Sequence, residues 1–187
     1  MARRRESAIN TEWAANLAYL IGIIASDGNL SKARSKEGVK KYAALQIGDK
    51  NFYDFLLKIG LTERKSKTIG PLQIPDALFA DFLRECIDGD GSIQIWKHKE
   101  SKNIQFKMSL YSASKTFLEW IKCETTLNFQ MIGGWIYTYK DEIHTLCYGK
   151  GDAFKILKLL YYDGVELYLD RKYQTYLRAS GAIGQTR

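Results

Sequence analysis

Between Trp13 and Ile24 the apolar residues Trp13, Leu17, Leu20, Ile21 and Ile24 recur at spacings of three and four, the signature of one buried helical face. Thr11 precedes them as an N-cap, with Glu12 in the first turn, so the pattern predicts a helix that ends at the Asp27-Gly28 pair. The same spacing returns at Leu78, Phe79, Phe82, Leu83 and Cys86. That helix should start near Pro75 and Asp76, proline being suited to a first turn, and end at Asp90-Gly91. After Ser92 the period drops to two, as in a half-buried strand. Ile93, Ile95, Ile104, Phe106, Met108 and Leu110 fall on one face, and Gln94, Trp96, Gln105, Lys107 and Ser109 on the other, with the turn at residues 99–102.

The first helix is followed by a rougher hairpin. Leu30 leads in, the basic stretch "SKARSKEGVKK" makes the loop, and Ala43, Leu45 and Ile47 return on one face. Each hairpin then enters a helix, through "GDKNFYDFLLKIG" and "YSASKTFLEWIK". A further hairpin, Trp135 to Tyr139 with Ile143 to Tyr148, and a helix from Asp152 to Tyr161 follow in the second half only.

The chain therefore repeats itself. "YLIGIIASDGNL" (19–30) and "FLRECIDGDGSI" (82–93) align without gaps, superposing Asp27 on Asp90. Further on, "LTERKSKT" (61–68) and "YLDRKYQT" (168–175) share acid-Arg-Lys, superposing Lys65 on Lys172. An internal repeat of this kind predicts two related supersecondary units. The expected organisation is a basic arm over 1–10, a first half over 11–74, a second half over 75–180 and a short tail over 181–187.

Composition narrows the partners. A chain of 187 residues with 45% hydrophobic and 13% aromatic content can bury a core. Its longest apolar stretch, Leu17 to Ala25, falls short of the roughly 18 to 20 residues that span a bilayer. The Arg3-Arg4-Arg5 run is not followed by the apolar core of a secretory signal, so the chain is expected in the cytoplasm, or in an organellar matrix if organelle-encoded. Cys86, Cys123 and Cys147 lack zinc-ligand spacing, and His98 and His144 read as ordinary strand residues. Lysine and arginine number 28 against 21 acids, a net charge of +7, which favours an anionic partner such as nucleic acid.

Two helices related by a pseudo-two-fold axis are natural partners for each other. Gly22 with Ser26, and Glu85 with Gly89, each lie one turn apart and offer one stripe per helix. The carboxylates of Asp27 and Asp90 would then converge at helix C-termini, each of which adds about half a negative charge. That arrangement calls for a cation, and a hard divalent ion held by carboxylates, backbone oxygens at Ser26 and Gly89, waters and substrate phosphate answers it. Lys65 and Lys172, one per half, would polarise an attacking water or stabilise phosphate charge. Asp88 lies about 200° around the helix from Asp90, and Ala25 holds its place in the first repeat, so Asp90 is the expected ligand.

These residues resemble the LAGLIDADG homing endonucleases, in the single-chain type with two motifs. "LIGIIASDG" (20–28) and "LRECIDGDG" (83–91) are similar to the nine-residue signature, and the lysines within "ERKSKT" and "LDRKYQT" are similar to the family's pattern. The resemblance runs from about Thr11 to Leu177. It implies an α+β monomer of two αββαββα-like halves, the first abbreviated, whose antiparallel sheets form a saddle over duplex DNA. It also implies metal-binding acids at Asp27 and Asp90 and active-site lysines at Lys65 and Lys172. Both strands would be hydrolysed with Mg2+, with Mn2+ as a possible substitute and Ca2+ supporting binding alone, leaving short 3′ overhangs in the service of intron or intein homing. Glu85 departs from the pattern, standing where helix crossing wants a small residue. Buried against Gly22 it would need a partner, with Arg84 or a lysine as candidates.

The DNA-facing set divides by chemistry. Gln94, Trp96, Gln105 and Lys107, on the strand face turned from the core, would read base edges, and Gln46 and His98 are further candidate DNA contacts. Lys32, Arg34, Lys36, Lys40, Lys41, Lys97, Lys99 and Lys102 would contact phosphates. The alternatives are an RNA maturase or DNA-binding regulator of the same fold without cleavage, and a basic nucleic-acid module in which the Asp-Gly pairs only end helices.

Overall fold

A computed structural model describes residues 9–26, 28, 47–101, 103–139 and 142–184. Helix α1 (Ala15–Ser26) is followed by α2 (Lys50–Lys58) and a single 3-10 turn (Lys65–Lys67). A second 3-10 turn (Asp76–Leu78) leads into α3 (Phe79–Asp90), β1 (Gly91–Lys97), β2 (Ile104–Ser112) and α4 (Lys115–Phe129). Then come β3 (Trp135–Thr138), β4 (His144–Tyr148), α5 (Lys150–Leu160) and α6 (Asp170–Gly184). The fold is α+β, with a four-stranded antiparallel sheet in the order β1-β2-β4-β3.

The hydrophobic periods place the core. Ile93 pairs with Met108 and Ile95 with Phe106, so these residues share the face expected for them. Leu110 pairs with Leu146 and Met108 with Tyr148, which carries the same face into β4. Phe106, Met108, Leu110, Leu146 and Tyr148 are buried there beneath the helices. On α3 and α4, Phe79, Phe82, Phe117 and Trp120 lock the helices by ring contacts between 5.7 and 6.5 Å. Ser114 caps α4 and also donates to the Ile69 carbonyl at 2.5 Å, tying the first half to the second.

Several boundaries differ from the expected ones. Helix α1 begins at Ala15, not after Thr11, because the Asn10 side chain takes the Glu12 N–H at 2.9 Å and forms a separate turn. Pro75 stands before a 3-10 turn, and the α-helix proper starts at Phe79. Helix α6 runs on to Gly184, across the point where a tail was expected. Helix α2 ends where Gly60 takes φ +106° and the Leu61 N–H returns to the Leu56 carbonyl at 2.9 Å, a glycine-closed helix end. The first-half hairpin, the basic arm over residues 1–8, and Asp27, Lys32, Arg34, Lys36, Lys40, Lys41, Gln46 and Lys102 lie outside the described residues.

Candidate functional site

Helices α1 and α3 pack along the stripes set by the repeat. A Cβ built on Gly22 would stand 2.7 Å from the Glu85 Cβ and 3.0 Å from the Phe82 carbonyl oxygen. A Cβ on Gly89 would stand 3.0 Å from the Ser26 Oγ. Gly22 thus meets Glu85, its own counterpart in the other motif, and Ser26 meets Gly89, likewise its counterpart. A small residue on one helix faces a larger one on the other at each level, and the order is reversed at the second. This lets the backbones approach closely at both.

Glu85 is accommodated within that alternation. It is 4% exposed, and the Ser26 hydroxyl lies 3.3 and 3.5 Å from its two carboxylate oxygens. Arg84 does not serve it. The Arg84 guanidinium donates to the Leu167 and Leu160 carbonyls and to Asp81, at 2.7, 2.9 and 2.7 Å, between the rings of Tyr19 and Tyr162. It therefore joins α3 to the chain between α5 and α6.

The two motif helices end alike. A Cβ on Gly28 would come within 2.5 Å of the Ile24 Cα, and one on Gly91 within 2.5 Å of the Ile87 carbonyl oxygen. Each glycine follows a motif aspartate and folds back over the residue four earlier, a path that leaves no room for a side chain. Each also presents its carbonyl to the lysine of its own half. Lys65 Nζ donates to the Gly28 carbonyl at 2.7 Å, and Lys172 Nζ donates to the Gly91 carbonyl at 2.7 Å. Lys172 also donates to the Asp88 carbonyl at 2.7 Å and to the Ile87 carbonyl. Both lysines are buried, at 4% and 3% exposed. The repeat superposes these two lysines, and the structure places their ammonium groups on helix-terminal carbonyls.

Burial lowers Lys172 to about 8, helped by Arg171 and opposed by Asp88, Glu85 and Asp90. Charge thus stays on the ammonium at neutral pH, where it offsets the negative end of α3.

Asp88 and Asp90 part company as their helical rotation requires. Asp88 is buried and accepts from the Tyr19 hydroxyl at 3.1 Å, the Tyr161 hydroxyl at 3.2 Å and the Leu169 N–H at 2.8 Å. Burial raises its carboxyl above the ordinary range, against the pull of those donors and of Lys172. Burial and the Asp88 charge likewise raise the Tyr19 and Tyr161 phenols, which remain protonated donors. Asp90 is exposed at the end of α3 and lines a cleft of about 120 Å3 with Ala25, Ser26, Ser66, Cys86, Tyr111 and Ser112. The cleft draws on both halves.

Its donor set suits a hard cation. Asp90 and the hydroxyls of Ser26, Ser66 and Ser112 line it with oxygen atoms, the kind of donor a hard cation takes, while burial holds the Cys86 thiol well above its ordinary value, with Glu85 and Asp90 adding to the rise. Among the described residues no group of three or more His, Cys, Asp or Glu is placed to hold a metal. A two-acid site needs Asp27, which directly follows Ser26.

The sheet face turned from the helices is the candidate nucleic-acid surface. Gln94 pairs with Lys107 and Trp96 with Gln105, which puts these four on one side. Gln94 and Trp96 are exposed, and Gln105 and Lys107 half-buried. Strand pairing adds aromatic residues that sequence reasoning left unassigned: Tyr111 on β2, and Trp135 and Tyr137 on β3, are all exposed on this side. Alternation in "WIYT" was the signal for the last two. Between these rings Ser109 and Cys147 form a buried floor, with Oγ and Sγ 3.1 Å apart.

Two expected contacts sit differently. Lys97 pairs with Ile104 and so lies by register on the face of Ile93 and Ile95, exposed at the strand end. The His98 ring faces the turn, its Nδ1 accepting the Glu100 and Ser101 N–H groups at 3.3 and 3.4 Å. Lys99 is exposed in that turn.

No helix among the described residues is long and apolar enough to cross a membrane. No family model matches the sequence, and no curated protein matches it. Solved structures with some likeness include the homing endonuclease I-CvuI in complex with its target (Sro1.3) in the presence of 2 mM Ca, at TM-score 0.40 and 17% identity. Another is I-CvuI in complex with the I-CreI target (C1221) in the presence of 2 mM Mg, with the DNA not cleaved, at TM-score 0.40 and 19% identity. The alignments cover 57% of this chain and 66% and 67% of those chains, so the chain spans about two thirds of the length of these neighbours.

Proposed function

We propose that this chain is a site-specific endonuclease for double-stranded DNA, of the LAGLIDADG homing type, using a divalent cation to hydrolyse both strands and leave short 3′ overhangs. The observation that carries this reading is the twinned helix end. Two crossing helices terminate in equivalent glycines, each glycine carbonyl is held by an equivalent lysine, and each glycine follows an aspartate. Duplication of that whole assembly has no use in a protein that needs only to end two helices.

Asp27 and Asp90 would hold Mg2+, with backbone oxygens at Ser26 and Gly89 as further ligands and Mn2+ as a substitute. The bound cation supplies Lewis-acid stabilisation of phosphate charge and a more acidic water. The chain's own part is to bring one acid from each half to the join and to bind the duplex beside it. Gln94, Trp96, Gln105 and Lys107 face the groove, while Lys99 and Lys97 at the hairpin tip meet phosphates. Lys32, Arg34, Lys36, Lys40, Lys41, Gln46 and Lys102 would add further contacts to DNA.

The test is cleavage of a randomised duplex library with Mg2+, Ca2+ and chelator in parallel. Wild-type protein is expected to cut a defined site with Mg2+ and to bind it uncut with Ca2+. Asp27→Asn and Asp90→Asn are each expected to lower double-strand cleavage by about a thousandfold or more while binding persists. Cutting at the wild-type rate by either variant would falsify the two-acid centre. Tight, site-specific binding with no cleavage by wild type under any cation would favour a DNA-binding regulator.

A further inference from the structure

We infer that Lys65 and Lys172 are positioning residues, each clamping the carbonyl of the glycine after its own motif aspartate and so fixing the path of the chain out of its motif helix. An ammonium has three N–H donors, and Lys172 places its donors on the carbonyls of Ile87, Asp88 and Gly91. None is left to polarise a water or touch a phosphate without breaking one of these bonds. Two of the accepted carbonyls, those of Asp88 and Gly91, bracket Asp90 along the chain, so the backbone just before and just after the Gly89–Asp90–Gly91 link is tied to one buried cation.

The first half repeats the contact by other means. Lys65 reaches the Gly28 carbonyl from a one-turn 3-10 helix preceded by Arg64 at φ 54°. Arg64 holds a left-handed conformation that a non-glycine residue rarely adopts. Lys172 reaches Gly91 from the first turn of a 15-residue α-helix. Two different backbones deliver an ammonium to the same atom of the repeat, which singles out that contact as the thing kept in common. Glycines 28 and 91 carry no side chain that packing could hold; their N–H groups bond back to the helix, and the lysine fixes the carbonyl by which the chain leaves each glycine. The positive charge also offsets the helix end, where a carboxylate is otherwise disfavoured.

The functional consequence rests on the nuclease reading, and the test separates the two. Amide hydrogen exchange is followed in wild type, Lys65→Met and Lys172→Met. The Gly91 N–H, which closes α3 on the Ile87 carbonyl, is expected to exchange about tenfold faster or more in Lys172→Met and to be unchanged in Lys65→Met. The Gly28 N–H, which bonds the Ile23 carbonyl at 3.0 Å, is expected to show the reverse. Single-turnover cleavage should slow by about 10- to 100-fold in each variant, as for a misplaced ligand, with the shape of the pH–rate profile preserved. Helix-end exchange that does not change, or a profile that loses a limb in either variant, overturns the clamp. Should a methionine variant not fold, the arginine variant at the same position keeps the charge but cannot put three converging donors on three carbonyls, and its exchange decides. If wild type does not cut DNA, the nuclease reading fails and the exchange result alone judges the clamp.

Discussion

Lys65 and Lys172 end on the same kind of atom, but the chain that carries each is different. In the first half the lysine arrives on a single turn forced by a left-handed Arg64, with Glu63 accepting the Tyr53 hydroxyl of α2 at 2.8 Å. In the second half it arrives in the opening turn of α6, whose Asp170 pairs with Gln174 one turn on. What the halves share is therefore the placement of a charge, and the local backbone is free to differ. The second half has room for a full helix because it contains β3, β4 and α5 between the motif and the lysine, where the first half has only the segment through α2.

That extra chain also explains Asp88. Its counterpart in the first motif is Ala25, which is buried in the core beside α3. Asp88 binds Tyr161 at the end of α5 and the Leu169 N–H before α6, partners that only the larger half supplies. The acid is thus a bolt for the second half's additional layer, and the Tyr19 hydroxyl extends it to α1. Two aspartates separated by one glycine hold different offices because one faces the added helices and the other faces the join.

The strongest way to break the equivalence of the halves is at the glycines. Alanine at Gly28 or Gly91 sets a methyl within 2.5 Å of backbone atoms that cannot yield without opening the turn. Each substitution is expected to destabilise by about 2 to 3 kcal/mol, read from the denaturant midpoint. If Gly91→Ala unfolds the protein readily and Gly28→Ala is silent, the two helix ends are not equivalent and the pseudo-symmetric account fails at its base.

A smaller effect sharpens the contrast between the aspartates. Asp88→Asn replaces one acceptor oxygen by an amide donor in a pocket of donors, so it is expected to lose about 1 to 2 kcal/mol of stability. Cleavage measured well below the melting temperature should stay near the wild-type rate. Asp90→Asn should do the opposite, with little change in stability and loss of cutting. Loss of cutting by folded Asp88→Asn would place the chemistry on the wrong acid.

Much of this was legible in the sequence because it followed from period and repeat. The pairing of Ile93 with Met108 and Gln94 with Lys107 restates an alternation of two, and the Gly22–Glu85 and Ser26–Gly89 contacts restate the superposition of two motifs. What was not legible depended on contacts between distant segments. Nothing local tells that Glu85 would be met by Ser26 and not Arg84, or that Arg84 would turn to carbonyls some eighty residues on. The lysines were found as a pair, yet their targets were not, because carbonyl acceptors carry no sequence signature. Thr11 failed as a cap because Asn10, a better acceptor at the neighbouring position, closed its own turn first.

The smallest expected effect concerns the charge that the clamp carries. Burial depresses Lys172 from 10.5 to about 8, so between those values the unfolded chain holds the proton more tightly than the folded protein does. Folding is therefore penalised by this group below about pH 8, and the penalty is relieved as pH rises toward 10.5. The change expected across that window is on the order of 1 kcal/mol. Wild type should gain on Lys172→Met as pH is raised from 7 to 10, in a thermal unfolding series run on both proteins in matched buffers. The charged groups that bear on it are Arg171, which lowers it, and Asp88, Glu85 and Asp90, which raise it. Neutralising Arg171 by Arg171→Gln should move the gain to higher pH, since it removes a like charge and lets the ammonium persist. A stability difference that is flat across that window would mean the lysine titrates alike in both states, and the burial of its ammonium against the helix end would then have to be given up.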